Sequence, residues 1–278
     1  MSTIHDVLAR PSPEPDLGWA SRGPNVYSES WVPVSEWRPW VDFTHQNLTS
    51  MYAQVLNTCW SGGDPQSISI SGRGDLLVPD ERSLNIFVAR YLWPFVNGAL
   101  ERAASIINLG QEPLGLAPGS FGQNIASPDW GLFSMPTPMP QEMLDILLPG
   151  LNKLSTKWYP EMRLSEHQSV RSEWASPVSQ VSTCAALSDC RYGFLITDEA
   201  LVVLRFTKKR LDASGTQSGD DNNPTGAVNV ELLPPEYAVI PMSASGKENL
   251  TVKLAVFCLC LMASGGHHRL DYGYPPLR

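Results

Sequence analysis

The stretch RYGFLITDEALVVLR, residues 191–205, decides the fold of this 278-residue chain. Residues 193–197 are mostly apolar, Asp198 and Glu199 follow as a polar pair, and residues 201–206 are again mostly apolar. Two such runs separated by a short polar turn predict a β-hairpin. Because neighbouring positions of the second run are all apolar, that strand is expected to be buried on both of its faces.

A long helix is predicted before the hairpin, over residues 80–108. Asp80 is a suitable N-cap, and the apolar residues after it recur at the spacing of one broad helix face. Pro94 interrupts this pattern. Since proline has no N–H to donate within a helix, the helix is expected to kink there or to split in two.

Further segments predict an alternation of strands, loops and helices. Pro177 is expected in the first turn of a helix that ends at Leu187. A Gly/Pro-rich loop is predicted over 110–127. The remaining predictions are strands at 67–71, 130–134, 143–148 and 236–241, and a buried helix at 251–263.

This order of elements predicts a mixed α/β fold with one core, in which helices flank a central mixed sheet. Residues 1–35 lack periodicity and are predicted to form an irregular N-terminal arm. Residues 36–278 are predicted to form a single domain. A polar, Gly-rich stretch near 208–226 is expected to be a flexible surface loop of that domain.

The composition bears on the partners of the chain. The 20 Lys and Arg residues and 28 Asp and Glu residues give a net charge of −8. Proteins that bind nucleic acid tightly and without sequence preference usually carry a basic face. The acidic total therefore favours a protein or small-molecule partner, while a nucleic-acid partner with a local basic groove stays open.

Cysteines and apolar segments indicate the compartment. The five cysteines form no CxxC pair, and the histidines show no zinc-ligand spacing near them, so free thiols are expected. The N-terminus has no secretion-signal pattern. The apolar run at 254–263 is too short to cross a bilayer, so no membrane partner is expected. The prediction is a soluble protein of the cytoplasm or nucleus.

Candidate catalytic residues follow from the needs of a metal-dependent phosphodiesterase. Mg²⁺ requires hard oxygen ligands, so carboxylates must converge from adjacent strands, and a nearby lysine can orient the attacking water. The chain has Asp129 before one predicted strand and Lys153 after the apolar segment that follows. By residue type alone, an aspartate after a proline is more often a turn or cap residue than a ligand, and a lysine such as Lys153 is more often a solvated surface charge.

The order of these motifs resembles the fungal PD-(D/E)XK nuclease-like proteins. The residues that carry the resemblance begin with Pro128-Asp129-Trp130 before a strand and Lys153 after the next. A helix containing Trp174, Pro177 and Gln180 follows, and the hairpin at 191–205 is the most specific match. The similarity extends from Glu81 to the C-terminus and implies a PD-(D/E)XK, restriction-endonuclease-like core.

The resemblance implies a role for four residues. Asp129 corresponds to the first metal-binding aspartate and Lys153 to the catalytic lysine. Gln180 corresponds to a helix glutamine near the site, and Glu81, at the start of the long helix, corresponds loosely to a helix acid. The second metal-binding carboxylate is missing, because Leu151 stands at its position. Asn152, beside it, is expected to point to the other face of the sheet.

Three functions remain open from the sequence. The first is a nuclease-like protein that has lost or weakened its metal-dependent activity and whose cleft serves another purpose. The second is a small-molecule enzyme, for example of fungal secondary metabolism, that uses the old cleft without metal. The third is an active Mg²⁺-dependent nuclease in which another carboxylate replaces the missing one. No cofactor is expected in the first two, and at most a weak metal ion on Asp129.

Overall fold

A computed structural model describes residues 2–20, 22–61, 72–107, 113–121, 126–135, 144–210, 231–265, 268–273 and 277. The helices in these ranges are α1 (Ile4–Leu8), α2 (His45–Met51), α3 (Ala53–Leu56), α4 (Glu81–Tyr91), α5 (Trp93–Ala104), α6 (Gln168–Leu187) and α7 (Val252–Ser264). The strands are β1 (Arg38–Pro39), β2 (Leu114–Pro118), β3 (Trp130–Ser134), β4 (Leu148–Asn152), β5 (Tyr192–Ile196), β6 (Ala200–Arg205) and β7 (Glu236–Pro241).

The described strands form one mixed sheet in the order β1-β7-β6-β5-β4-β3-β2. Strands β2, β3 and β4 pair antiparallel, and so do β5, β6 and β7. The pairs β4–β5 and β1–β7 are parallel. Parallel neighbours need a crossover connection, and α6 supplies it between β4 and β5. The predicted α/β class, a mixed sheet flanked by helices, is therefore confirmed.

The predicted hairpin is present as β5 and β6. Leu201 and Val203 pack into the core on the side of α5 and α7, whereas Val202 and Leu204 pack into the core on the side of α6. All four side chains are fully buried, which confirms a strand covered on both faces. The strand predicted at 236–241 is also present as β7, but it is not an edge strand, because the short β1 pairs with its outer side.

The long helix splits as its proline predicts. Asp80 caps α4 by accepting a hydrogen bond from the N–H of Ser83 at 2.7 Å. Helix α4 ends at Tyr91, and α5 begins at Trp93 with Pro94 in its first turn. A proline costs little in a first turn because its missing N–H would have no partner there.

Helix α6 is longer than predicted, because it begins at Gln168 and holds Pro177 in its interior. A proline at position 177 leaves the carbonyl of Glu173, one turn earlier, without its helical partner. The side-chain amide of Asn25 donates to that carbonyl at 3.2 Å. A residue distant in sequence thus satisfies the helix at the proline, which helical periodicity alone does not reveal.

One strand prediction and one loop prediction at the far side of the sheet are wrong. Strand β4 begins at Leu148, where the predicted strand 143–148 ends, and residue 143 lies outside the described ranges. Strand β2 lies within the predicted loop 110–127 and pairs along its whole length with β3. Both strands contain glycine and proline, which usually indicate a turn. Gly150 is required in β4 because a Cβ there would lie 2.1 Å from the ring of Phe194.

The N-terminal stretch contains regular structure in the part that the structure describes. Within residues 1–35, which the sequence predicts to be irregular, α1 buries Ile4, Val7 and Leu8 in the core. The predicted helix at 251–263 is present as α7, with Thr251 as its N-cap. No helix among the described residues is both long and apolar enough to span a bilayer. The predicted strand 67–71 and residues 211–226 of the predicted loop lie outside the described residues.

Candidate functional site

Polar side chains meet where β4 ends, β3 begins and α4 begins. Glu81 and Asn85 lie one turn apart at the start of α4, Asp129 immediately precedes β3, and Asn152 is the last residue of β4. Antiparallel pairing of β3 with β4 brings the start of one strand beside the end of the other. We call the following set the Asp129 cluster: Glu81, Asn85, Asp129, Asn152, Lys153 and Lys157.

Asp129 is held by hydrogen bonds on its protein side. Its Oδ2 accepts from the backbone N–H of Asn152 at 2.8 Å, and the side chain of Asn85 also bonds to the carboxyl group. Burial raises the pKa of Asp129, while these hydrogen bonds and the charge of Lys153 act in the opposite direction. Burial is the larger effect, so the carboxyl group retains its proton to a higher pH than an exposed aspartate.

Asn152, and not Leu151, is the β4 residue beside Asp129. The side chain of Leu151 packs into the core under α6, with Trp158 and Val178. Asn152 is fully buried on the other face, where its amide group donates to Asn85. The prediction that Asn152 points away from Leu151 is thus confirmed, but the face that carries the cluster is the face of Asn152.

Trp130 holds the Asn152 amide from the other side. The indole Nε1 of Trp130 donates to Oδ1 of Asn152 at 3.0 Å. Both the oxygen and the nitrogen of this amide therefore have protein partners. A carboxylate in the same place could accept from Trp130 but could not donate to Asn85.

Two lysines share one carboxylate at the outer side of the cluster. Nζ of Lys153 lies 3.7 Å from Oε1 of Glu81, and Nζ of Lys157 lies 3.5 Å from the same atom. The side chains of Lys153 and Lys157 are 8% and 16% exposed, and that of Glu81 is 34% exposed. Two lysines at these separations balance the charges of Glu81 and Asp129, so with both carboxyl groups ionised the cluster is formally neutral.

Gln180 holds the chain that leads to Asp129. Its amide group donates to the carbonyl of Ala126 at 3.1 Å. The next residue, Ser127, has a φ of 46°, in the left-handed region that non-glycine residues rarely occupy. The glutamine thus restrains a strained turn two residues before Asp129, and the described contacts give it a positioning role.

The segment after Lys153 is anchored from the hairpin. The N–H and hydroxyl of Ser155 donate to the two carboxylate oxygens of Asp198 at 2.7 and 2.6 Å. Asp198 is 5% exposed and lies in the β5–β6 turn. This contact explains why the hairpin sequence bears on the site, because its turn orients the segment that carries both lysines.

Other polar residues lie away from the cluster. Glu161 lies in a 3-10 turn, and Glu173 in α6 accepts from the N–H of Asn25. His268 contacts the carbonyl of Gly265 through Nδ1 at 2.6 Å. A cleft of about 430 Å³ lies between residues 25–34 and α6, and its lining contains Tyr27 and Trp31 rather than the residues of the Asp129 cluster.

The donor atoms of the cluster are a poor match for Mg²⁺. No group of three or more His, Cys, Asp or Glu side chains suitable for a metal ion occurs among the described residues. In the cluster itself, Oδ2 of Asp129 and Oδ1 of Asn152 are already occupied by N–H donors. Mg²⁺ prefers several carboxylate oxygens, and two lysines beside the only two carboxylates oppose its binding.

In comparisons with known proteins, no protein-family model, curated protein or solved structure matches the chain.

Asn85, Asn152 and Lys157 are the three cluster residues that the sequence does not assign to the site. Asn85 could have been found, since it follows Glu81 by four residues and so shares its helix face. Asn152 could not have been found from the sequence, because the sheet face on which its side chain lies depends on where β4 begins and ends.

Proposed function

We propose that this chain has a PD-(D/E)XK-type core whose metal site has become a hydrogen-bonded polar cluster, and that it does not cleave phosphodiesters with Mg²⁺. Three positions support the core assignment. Asp129 directly precedes β3, Lys153 directly follows the neighbouring β4, and Glu81 begins the helix that precedes both strands. These are the relative positions that the sequence resemblance implies for the first metal ligand, the lysine and the helix acid.

The identity of Asn152 carries the proposal for function. A metal-dependent phosphodiesterase needs a second carboxylate beside the first, so that a divalent ion can stabilise charge on the attacking and leaving oxygens. At that place the chain has a neutral amide bonded to Asn85 and Trp130. Lys153 and Lys157 further reduce the attraction for a cation through their ion pairs with Glu81.

The function that remains is binding at a site derived from a nuclease cleft. The partly exposed carboxylate of Glu81 and the two lysines form the outer side of the cluster. Alternating charges of this kind suit a polar group of a protein or a small molecule better than a polyanionic nucleic acid. The net charge of −8 supports the same preference.

A second candidate is metal-free acid–base chemistry on a small molecule. The observation that favours it is the raised pKa of Asp129, which burial produces. A carboxyl group that keeps its proton closer to neutral pH can act as a general acid, with Lys153 and Gln180 as hydrogen-bond donors. This candidate requires that a substrate displace the Asn152 and Asn85 contacts of Asp129.

The test compares two carboxylate substitutions at neighbouring positions, Asn152→Asp and Leu151→Asp. Calorimetric titration with Mn²⁺ should show no site tighter than millimolar in the unmodified chain. Asn152→Asp places a second carboxylate beside Asp129 and should bind Mn²⁺ more tightly, and adding Asp129→Ala should remove that gain.

Leu151→Asp serves as the matched control. It introduces the same charge one residue away, but into the apolar core under α6, so it should cost several kcal/mol of stability and bring no metal binding. A stoichiometric, micromolar Mn²⁺ site in the unmodified chain, lost on Asp129→Ala, would contradict the proposal.

A further inference from the structure

We propose that His5 and His45 form a binding site for one zinc-class divalent ion, separate from the Asp129 cluster. His5 lies in α1 and His45 is the first residue of α2. Their ring centroids are 5.8 Å apart and the ring planes are inclined by 33°. In both rings Nε2 is buried and has no hydrogen-bond partner.

In the imidazole tautomer that carries its proton on Nδ1, Nε2 presents a lone pair, and one electrophile can accept the lone pairs of two neighbouring rings. A buried polar atom left unpaired costs about 1–3 kcal/mol, so two of them side by side in a native fold require an explanation. The two Nε2 atoms do not bond to each other, since neither has a partner. A metal ion accepts both lone pairs at once, and imidazole is a preferred ligand of Zn²⁺, Ni²⁺ and Cu²⁺.

The separation of the rings fits a shared ion. With metal–nitrogen bonds of about 2.0–2.1 Å and ring centres roughly 1.1 Å behind each nitrogen, two imidazoles on one ion have centroids about 5 Å apart at a tetrahedral angle and about 6.3 Å apart in line. The observed separation of 5.8 Å lies between these limits. The distance between the two rings therefore matches that of two imidazoles bound to one ion.

The charges around the pair are mixed. Asp6 and Glu248 act on His5 as negative charges, and Lys247 acts as a positive one. Asp6 is engaged by Lys247 and by the N–H and hydroxyl of Thr3, so its charge offsets that of the lysine. The two imidazoles are therefore the protein ligands of the ion, and water completes its coordination.

Binding would join α1 to α2 and should stabilise the folded chain, with a free energy that rises as the logarithm of the free ion concentration once this exceeds the dissociation constant.

The experiment is a titration of the full, tag-free chain with Zn²⁺ at pH 7.5, followed by calorimetry and by thermal unfolding. We expect one ion per chain, a dissociation constant below the millimolar range and a higher unfolding temperature with Zn²⁺. His5→Ala and His45→Ala should each weaken binding by about tenfold or more. His5→Gln, which keeps a polar side chain of similar size, should give the same loss in a chain with unchanged circular dichroism.

His268→Ala is the matched control, because His268 contacts the carbonyl of Gly265 and not the pair. This variant should bind Zn²⁺ as the unmodified chain does. Failure of the unmodified chain to bind Zn²⁺ would overturn the inference. Equal binding by His5→Ala and the unmodified chain would do so too, since the ion would then be adventitious.

Discussion

The substitution Lys253→Met should stabilise the protein at neutral pH. Lys253 is the second residue of α7 and is only 1% exposed. Its Nζ lies 4.6 Å from the ring centre of Phe95, and its one described hydrogen bond, to the carbonyl of Pro11, is long at 3.4 Å. A helix N-terminus is also unfavourable for a cation. The burial of this charge is therefore poorly compensated.

The magnitude follows from the pKa. Burial, with a smaller contribution from Arg10, lowers the pKa of Lys253 from 10.5 to about 8. Each pKa unit corresponds to about 1.4 kcal/mol. The lowered pKa therefore means that a charged Lys253 destabilises the folded protein by about 3 kcal/mol. Since the folded pKa is the lower one, the penalty is complete below pH 8 and disappears as the pH rises towards 10.5.

The assay is urea unfolding followed by tryptophan fluorescence at several pH values between 6.5 and 9.5. Loss of the Phe95 and Pro11 contacts offsets part of the gain, so Lys253→Met should be more stable by about 1–3 kcal/mol at pH 7. The difference between the two proteins should shrink as the pH approaches 9.5. Lys209→Met, at a half-exposed lysine, is the control and should show no such trend. A Lys253→Met protein destabilised equally at every pH would refute the reasoning.

Two further predictions concern the site and the core. Asp129→Asn should raise the stability of the folded protein at pH 7. Burial raises the pKa of Asp129, so folding with an ionised Asp129 is penalised once the pH exceeds the ordinary value of 3.8. A urea midpoint at pH 7 below that of the unmodified chain would contradict this. Val202→Ala and Leu204→Ala should each cost roughly 2–4 kcal/mol in urea unfolding, from lost burial and the cavity left behind. Losses below about 0.5 kcal/mol at both positions would show that β6 is peripheral.

The hairpin and the capped helices were predictable because their signals are local. Strand β6 has apolar residues on both faces, and Asp80 and Thr251 begin α4 and α7 by accepting hydrogen bonds from N–H groups three residues ahead. In these segments the periodicity, the cap and the burial agree. Tertiary contacts in these segments therefore favour the same secondary structure as the local sequence.

The wrong predictions fall at glycine and proline positions where a residue distant in sequence supplies the missing packing or hydrogen bond. Gly150 indicates a turn in the sequence, but the ring of Phe194 fills the space where its side chain would be, and β4 continues. Pro177 indicates a helix start, but Asn25 bonds the carbonyl that the proline leaves unpaired, and α6 begins at Gln168. Neither partner can be identified from the neighbouring residues.

The candidate site was predictable in its charged residues and not in its amides. Asp129 and Lys153 are predictable because carboxylates and lysines serve known chemistry at the ends of strands. The position of Asn152 depends on the register of β4, and a shift of one residue exchanges the two faces of a strand. The sequence alone therefore predicts the missing carboxylate at Leu151, whose side chain lies in the core on the other face of the sheet.

The most direct test of the central claim is a cleavage assay on the unmodified chain. Single- and double-stranded DNA and RNA are incubated with Mg²⁺ or Mn²⁺, with and without EDTA, beside Lys153→Ala. The uncharged amide of Asn152 and the ion pairs of Glu81 predict no cleavage above that of the Lys153→Ala protein. Robust cleavage that EDTA abolishes, and that Lys153→Ala loses, would contradict the claim that the metal site has become a structural polar cluster.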